Sequence, residues 1–379
     1  MALDRTSGTR SALLTALNAM ERHGDEGGKR NEGRQIKGLM QTNYTKRERV
    51  FVSVFIFLIC LVMAHAVHSG WFMTAYETRV HPPPAGTPYT PLFETPSHLP
   101  DAYRIAMPAL GQLVMKVFHI HDAPAVAAVF DFIFGFAACY LFYRVAVDFL
   151  PETRLVAVLF LAMIQFAMSW VVPWQRPETM PTSLFLAIVL FSLARVGQNL
   201  LWGGLIVAAT LIQGFIRTDA PLILGISLIL LSVLPGELGI FGTRRLLVSL
   251  GGFIVFITVT IQAYLRYVRF PNLHRWPSDK QILTLSRNVY NLHSLVNGFV
   301  ALLPFVLFAI FLVRKRPALD ASDRLVLLAS ALYLVLWFNA GRVSEARIFV
   351  PFMLALSSVV AKVIGSYEQI VEPELKLSR

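Results

Sequence analysis

Long apolar blocks separated by short polar punctuation constrain this chain of 379 residues more than any other feature. The hydrocarbon core of a bilayer is about 30 Å thick and takes about 20 apolar residues of helix to cross. Blocks of that scale recur from residue 49 to residue 365. Inside lipid, every backbone N–H and C=O must be satisfied internally, and helices do this within one segment. Apolar residues make up 55% of the chain and charged ones only 15%, with a mean hydropathy of +0.59, well outside the range of soluble domains. The expected fold is all-α: a polytopic membrane bundle of about ten transmembrane helices with a long first external loop.

The candidate spans fall at 49–68, 123–143, 154–174, 180–196, 199–216, 220–234, 243–265, 292–313, 324–340 and 346–365. Residues 1–48 mix Gly, Asp, Glu, Lys and Arg with too little apolar surface to form a core, and read as a flexible cytoplasmic N-terminal tail. The first apolar run after this tail is expected to act as an uncleaved anchor. Residues 49–365 form the transmembrane domain, with external loops at 69–122 and 266–291, and 366–379 form a cytoplasmic C-terminal tail.

Basic residues set the orientation. With the N-terminus cytoplasmic, alternation brings Arg144, Arg154, Arg244, Arg245, Arg314, Lys315, Arg316 and Arg324 to the same inner side, as the positive-inside tendency requires. Trp71, Trp170, Trp174, Trp276 and Trp337 then fall at external ends or loops, where indole rings anchor at headgroups. Segment 103–120 decides this topology. Its Arg104, Pro108, Gly111, Gln112 and Lys116 favour an interfacial or re-entrant helix over a crossing. The net charge of +11 is dispersed over loop ends, which points to membrane lipids and phosphorylated lipids as partners and not to nucleic acid.

Chemistry concentrates on the expected outer side. The 69–122 loop carries a proline-rich stretch from Pro82 to Pro100, extended and semi-rigid, flanked by Glu77, Arg79, Asp101 and Arg104. Loops of this length in compact proteins are usually functional. Charges recur where spans meet that surface, at Arg176-Pro177-Glu178, Arg217-Thr218-Asp219 and the stretch from Arg342 to Arg347 that holds Glu345. Two readings of each stand. The acids favour the positive ends of helix dipoles while the arginines grip headgroups, or the charges converge on a site. The 266–291 loop adds Arg266, Arg269, Arg275, Lys280 and Arg287, interleaved with aromatic residues and suited to a phosphate or to anionic lipid. Thr179 and Asp219 each precede a proline by two positions and mark helix starts.

Cys60 and Cys139 lie inside apolar runs and offer neither a disulfide framework nor a cysteine zinc site. Histidines on the outer side, including His65 and His68, match no metal motif, so no metal site and no cofactor are assigned, and a divalent metal requirement stays open. Asp131 is the one acid deep in an apolar span. It either bonds a polar group such as Gln165, Gln213 or Gln262 or lines a cavity.

The plan resembles the GT-C class of membrane glycosyltransferases. That class places an essential acid in the first external loop, often as Asp-x-x-Tyr; Asp101-Ala102-Tyr103-Arg104 is similar, and Glu77 in Tyr76-Glu77-Thr78-Arg79 lies nearer the first span. Arg217-Thr218-Asp219 and Arg176-Pro177-Glu178 resemble its triplet entering a middle span. Glu345-Ala346-Arg347-Ile348-Phe349-Val350-Pro351 resembles its acid-x-Arg-Tyr segment, with Ile in place of Tyr. The resemblance implies transfer of a sugar from a polyprenyl-phosphate donor to an acceptor at the outer face of the inner (plasma) membrane. Asp101 or Glu77 would be catalytic, and Arg104, Arg176, Glu178, Arg217, Asp219, Arg275, Glu345 and Arg347 substrate-binding. It also implies partners in envelope-polysaccharide assembly. An O-antigen-type polymerase or ligase competes with this reading among enzymes; outside them stand a lipid or solute transporter or flippase and a non-catalytic scaffold.

Overall fold

The computed structural model describes residues 46–80, 104–147, 178–196, 199–234, 243–271, 319–340 and 346–377, with scattered helical positions from 290 to 314. The described residues are helical throughout, with no strand among them. Helices α1 (Lys46–Val80), α2 (Ala106–Phe118), α3 (Ala123–Val147) and α4 (Thr179–Leu193) come first in the chain. Next are α5 (Leu200–Ile216), α6 (Asp219–Val233) and α7 (Arg244–Ala263), the last continued by a π-helical turn, Tyr264–Arg269. Helix α8 (Ala321–Ala340) and a 3-10 turn (Ala346–Phe349) lead into α9 (Val350–Leu377).

Among the described residues, three stretches, Ala123–Val145, Arg244–Arg269 and Ala321–Asn339, are long and apolar enough to cross a bilayer. The protein is therefore of membrane type. Shorter apolar helices at Val50–Ala66, Ala106–Phe118, Thr179–Leu193, Leu201–Ile216, Asp219–Val233 and Val350–Val363 accompany them. The sequence-expected spans at 154–174 and most of 292–313 lie outside the described residues.

Side-chain burial follows membrane logic. Helix α1 buries Ile56, Cys60, Met63 and Ala64, a stripe of helical spacing, yet Phe57, Leu58, Leu61 and Val62 on its other faces are exposed and equally apolar. A helix that is hydrophobic all round has no face suited to water. Phe57 meets Phe132 of α3 edge-on at 5.0 Å, and the Met63 side chain reaches the space beside Gly135. Polar side chains within these helices bond their own backbone one turn back, as Thr182 to Glu178, Ser183 to Thr179, Ser227 to Ile223 and Thr258 to Ile254.

Helices α6 and α7 pack through glycine. A Cβ on Gly251 would stand 2.6 Å from the Gly225 carbonyl oxygen, and one on Gly225 would stand 2.9 Å from that of Gly251. Small residues let backbones approach this closely, which is how helices gain dispersion contact where lipid supplies no hydrophobic drive.

Three elements differ in detail from the sequence reading. Helix α1 continues to Val80 where an external loop is expected from 69, because no proline interrupts the chain before Pro82. Helices α4 and α6 start where expected, but Thr179 and Asp219 are their first helical residues and not their caps. Helix α2, with 13 residues, is about 20 Å long at 1.5 Å per residue and ends on His119 in the left-handed region at φ 53°.

Candidate functional site

The site is built where three well-separated stretches of chain meet. Arg104, just ahead of α2, donates to Glu178, the residue before α4, at 2.5 Å. Arg217 ends α5, and its Nε donates to both carboxylate oxygens of Asp219 at the start of α6, at 2.8 and 2.9 Å. The connection between α5 and α6 is so short that the pair is held at one corner by the chain itself. The two ion pairs also sense each other: Glu178 acts electrostatically on Arg217, and Arg104 on Asp219. Four of the residues expected from sequence, Arg104, Glu178, Arg217 and Asp219, thus share one location.

Helix α8 closes the cluster. Tyr333 Oη and Trp337 Nε1 each donate to Asp219 Oδ2 at 3.1 Å, while the Ala220 backbone N–H donates to Oδ1 at 3.0 Å. The Arg217 guanidinium carbon lies 5.2 Å from the Trp337 ring centre and 5.9 Å from that of Tyr333, within cation–π range. Tyr333 is itself fixed by Phe352 of α9 at 4.3 Å. A carboxylate with this many donors is an orienting group, and what it orients is Arg217. The arginine is 5% exposed, and its Nη2 has no hydrogen-bond partner among the described residues.

Asp131 of α3 lies close enough to Glu178 to interact with it, fully buried, and neither of its carboxyl oxygens has a hydrogen-bond partner among the described residues. Nearby in the chain's packing, Gln213 donates from Nε2 to the Thr182 carbonyl at 3.3 Å and keeps an unpartnered Oε1. Of the partners the sequence offers for Asp131, Gln213 does not bond it, and Gln165 lies outside the described residues. Buried polar groups are nearly always satisfied, so an orphaned carboxyl beside a cluster of charges marks a strained or functional position.

A cleft of about 510 Å³ adjoins the charged corner along the chain. Ile105, the residue after Arg104, lines it together with Ala109 and Gln112 of α2; Ile212 and Phe215 of α5 form another wall, and Arg269 and Phe270 close the end. Its lining is mostly apolar.

The remaining sequence-expected residues are not brought into this corner by described contacts. Asp101, Arg176, Arg275 and Glu345 lie outside the described residues. Glu77 is on the last turns of α1 and Arg347 on the 3-10 turn before α9, with side chains outside the description. Among the described residues, no three His, Cys, Asp or Glu side chains gather as a metal would need. Sequence reasoning missed Tyr333 altogether and read Trp337 as a headgroup anchor. The signal was their spacing of four on one helix, which stacks two donors on a single face.

No family model matches the chain, and neither a curated protein nor a solved structure is detectably similar to it. The class it defines is set by its own features: an all-helical membrane-type protein with a buried, charge-paired corner beside an apolar cleft.

Proposed function

We propose that the protein is a membrane glycosyltransferase that moves a sugar from a polyprenyl-phosphate donor to an acceptor at the outer face of the inner membrane. In this reading about ten helices cross the bilayer, the N-terminus is cytoplasmic, and the short helices meet the membrane through local thinning and side chains that snorkel. Arg195, stacked 3.6 Å over Phe191 at the end of α4, suits such a role.

One observation carries the reading. Arg104, Glu178, Arg217 and Asp219, singled out in the sequence as charges on the expected outer side, meet at one corner. Departure of a polyprenyl phosphate builds negative charge, and preorganised guanidinium groups stabilise such charge where water is excluded. Arg217 fits the task, since Asp219, Tyr333 and Trp337 hold its plane while Nη2 is left over for an incoming oxygen. Glu178 and Asp219 are each engaged by an arginine, and the resemblance to the GT-C class assigns the general base to Asp101 or Glu77. Such a base contributes about two to four decades of rate. Arg176, Arg275, Glu345 and Arg347 complete the substrate-binding set.

A second reading, a transporter or flippase, is favoured by Asp131 alone, because an unpartnered carboxyl within a helical bundle suits an ion or proton path. Native mass spectrometry of the purified protein with added polyprenyl-phosphate sugar separates the two. The transferase reading expects retained donor, and product that vanishes in Asp101→Asn or in Glu77→Gln with donor retention intact. Solute flux in liposomes without covalent product, slowed by Asp131→Asn, would establish transport instead.

A further inference from the structure

The turn that follows α7 gives the apolar cleft a second, separate feature. In an α-helix the residue four positions after a buried one lies on the same face. Leu265 is fully buried, so α-helical continuation would carry Arg269 into the core. The chain instead winds as a π turn over Tyr264–Arg269, with the Phe270 N–H bonded to the Leu265 carbonyl at 3.0 Å. The wider turn sets Phe270 against the Ile257, Ile261 and Leu265 cluster and leaves Arg269 exposed at the end of the cleft. The π winding is rare and is frequent at functional sites when it interrupts a helix; here it ends α7 and sets the direction of the two side chains that close the cleft.

Arg269 lies 5.4 Å from the Phe270 ring centre, and among the described residues no carboxylate pairs with it. The elements that line the cleft also carry exposed apolar side chains, with Leu113 and Val117 on α2, Ile212 on α5, and Tyr267 and Val268 on the turn itself. In a membrane protein such surfaces face lipid chains. A cleft of 510 Å³ lies within the ordinary range of ligand pockets and takes the phosphate-proximal part of a chain.

We propose that this cleft seats the hydrocarbon chain of a lipid phosphate, with Arg269 holding its phosphate group. The apolar walls select a chain, the guanidinium, which pairs with no carboxylate among the described residues, selects an anion, and its planar fork matches phosphate oxygens. That the lipid is a polyprenyl phosphate rests on the transferase reading above. Arg269 would thus bind the donor, a role separate from that of Arg217.

The test uses the full chain in detergent, with binding of a polyprenyl monophosphate, the corresponding polyprenol and inorganic phosphate compared in wild type, Arg269→Gln and Ala109→Phe. Arg269 is exposed, so its substitution leaves folding intact. The expected result is tight binding of the lipid phosphate alone. Arg269→Gln should weaken it on the order of tenfold or more, the loss expected for one charge-assisted bond, without changing the weak binding of polyprenol. Ala109→Phe, which fills the cleft, should weaken both lipids. Unchanged lipid-phosphate binding in Arg269→Gln, equal binding of polyprenol, or indifference to Ala109→Phe would overturn the proposal. A lipid phosphate bound in this manner while its sugar-bearing form is never turned over would keep the site and reject the transferase.

Discussion

Trp337 of α8 donates its indole N–H to the Asp219 carboxylate at 3.1 Å, tying the eighth helix to the first residue of the sixth. Tyr333, one turn earlier, donates to the same oxygen. The two bonds hold a carboxylate that in turn holds Arg217, so residues more than a hundred positions apart in sequence determine where one guanidinium points.

Removing either donor weakens the corner. Hydrogen bonds to charged groups contribute about 1.5–3 kcal/mol, so Tyr333→Phe and Trp337→Phe should each destabilise by about that much. Their effects should depart from additivity, because they share one acceptor. Unfolding of the single and double variants in detergent checks both points.

Asp131 should behave in the opposite sense. A buried carboxyl costs stability when unbonded, and Asp131 has no hydrogen-bond partner among the described residues, so Asp131→Leu should stabilise the protein by roughly 1–3 kcal/mol. If the acid serves function, the same variant loses activity while gaining stability, and thermal unfolding measured beside turnover reveals the trade.

The contact between α6 and α7 tolerates no side chain at its centre. Gly251→Leu would drive atoms into the Gly225 carbonyl and Ile229, and overpacking of this kind costs about 1–3 kcal/mol or more. Gly252→Leu, where nothing stands within 4 Å, should be far milder. Comparison of folded yields in detergent distinguishes a specific contact from a general intolerance of bulk.

Helices α8 and α9 are pinned by Lys362, buried, paired with Asp323 and bonded to Asp320 at 3.3 Å. Lys362→Met alone strands buried charge and should cost about 3–5 kcal/mol; Lys362→Met with Asp323→Leu should cost less. The Asp320 carboxyl also makes this end pH-dependent. Burial alone would push it up, but the Lys362 ammonium, the Asp323 backbone N–H and the Ser322 hydroxyl outweigh burial and hold it below the usual carboxylate range. A carboxyl whose folded value is depressed stabilises fully above its ordinary value near pH 4, and that contribution fades as pH falls through the lower folded value. Asp320→Asn should therefore flatten the acid limb of a stability profile and leave the neutral region lowered by a constant amount.

The helical membrane character was legible because it depends on composition and block length, which local sequence carries directly. The pairing of Arg217 with Asp219 was half legible: a short connection between two apolar runs brings neighbours together whatever the tertiary fold. Arg104 with Glu178 was expected only as members of one face, and their contact depends on how α2 packs beside α4. Tyr333 gave no such sign, since a tyrosine in an apolar run reads as core until a charged partner is found across the bundle. The π turn was hidden for another reason. Its sequence, Tyr264–Arg269, reads as the ragged end of a span, and the bond from the Phe270 N–H to the Leu265 carbonyl, with Leu265 buried and Arg269 exposed, shows that the winding has changed.

The central claim, that the charged corner stabilises a departing lipid phosphate, is tested most directly by transfer of the sugar from a polyprenyl-phosphate sugar to an added hydroxyl-bearing glycan acceptor in proteoliposomes by wild type and Arg217→Gln. The account predicts release of polyprenyl phosphate by wild type and a loss on the order of a hundredfold or more in the variant, with the lipid still bound. Wild-type protein that binds the lipid yet never releases its sugar, or a variant that turns over at the wild-type rate, would contradict it.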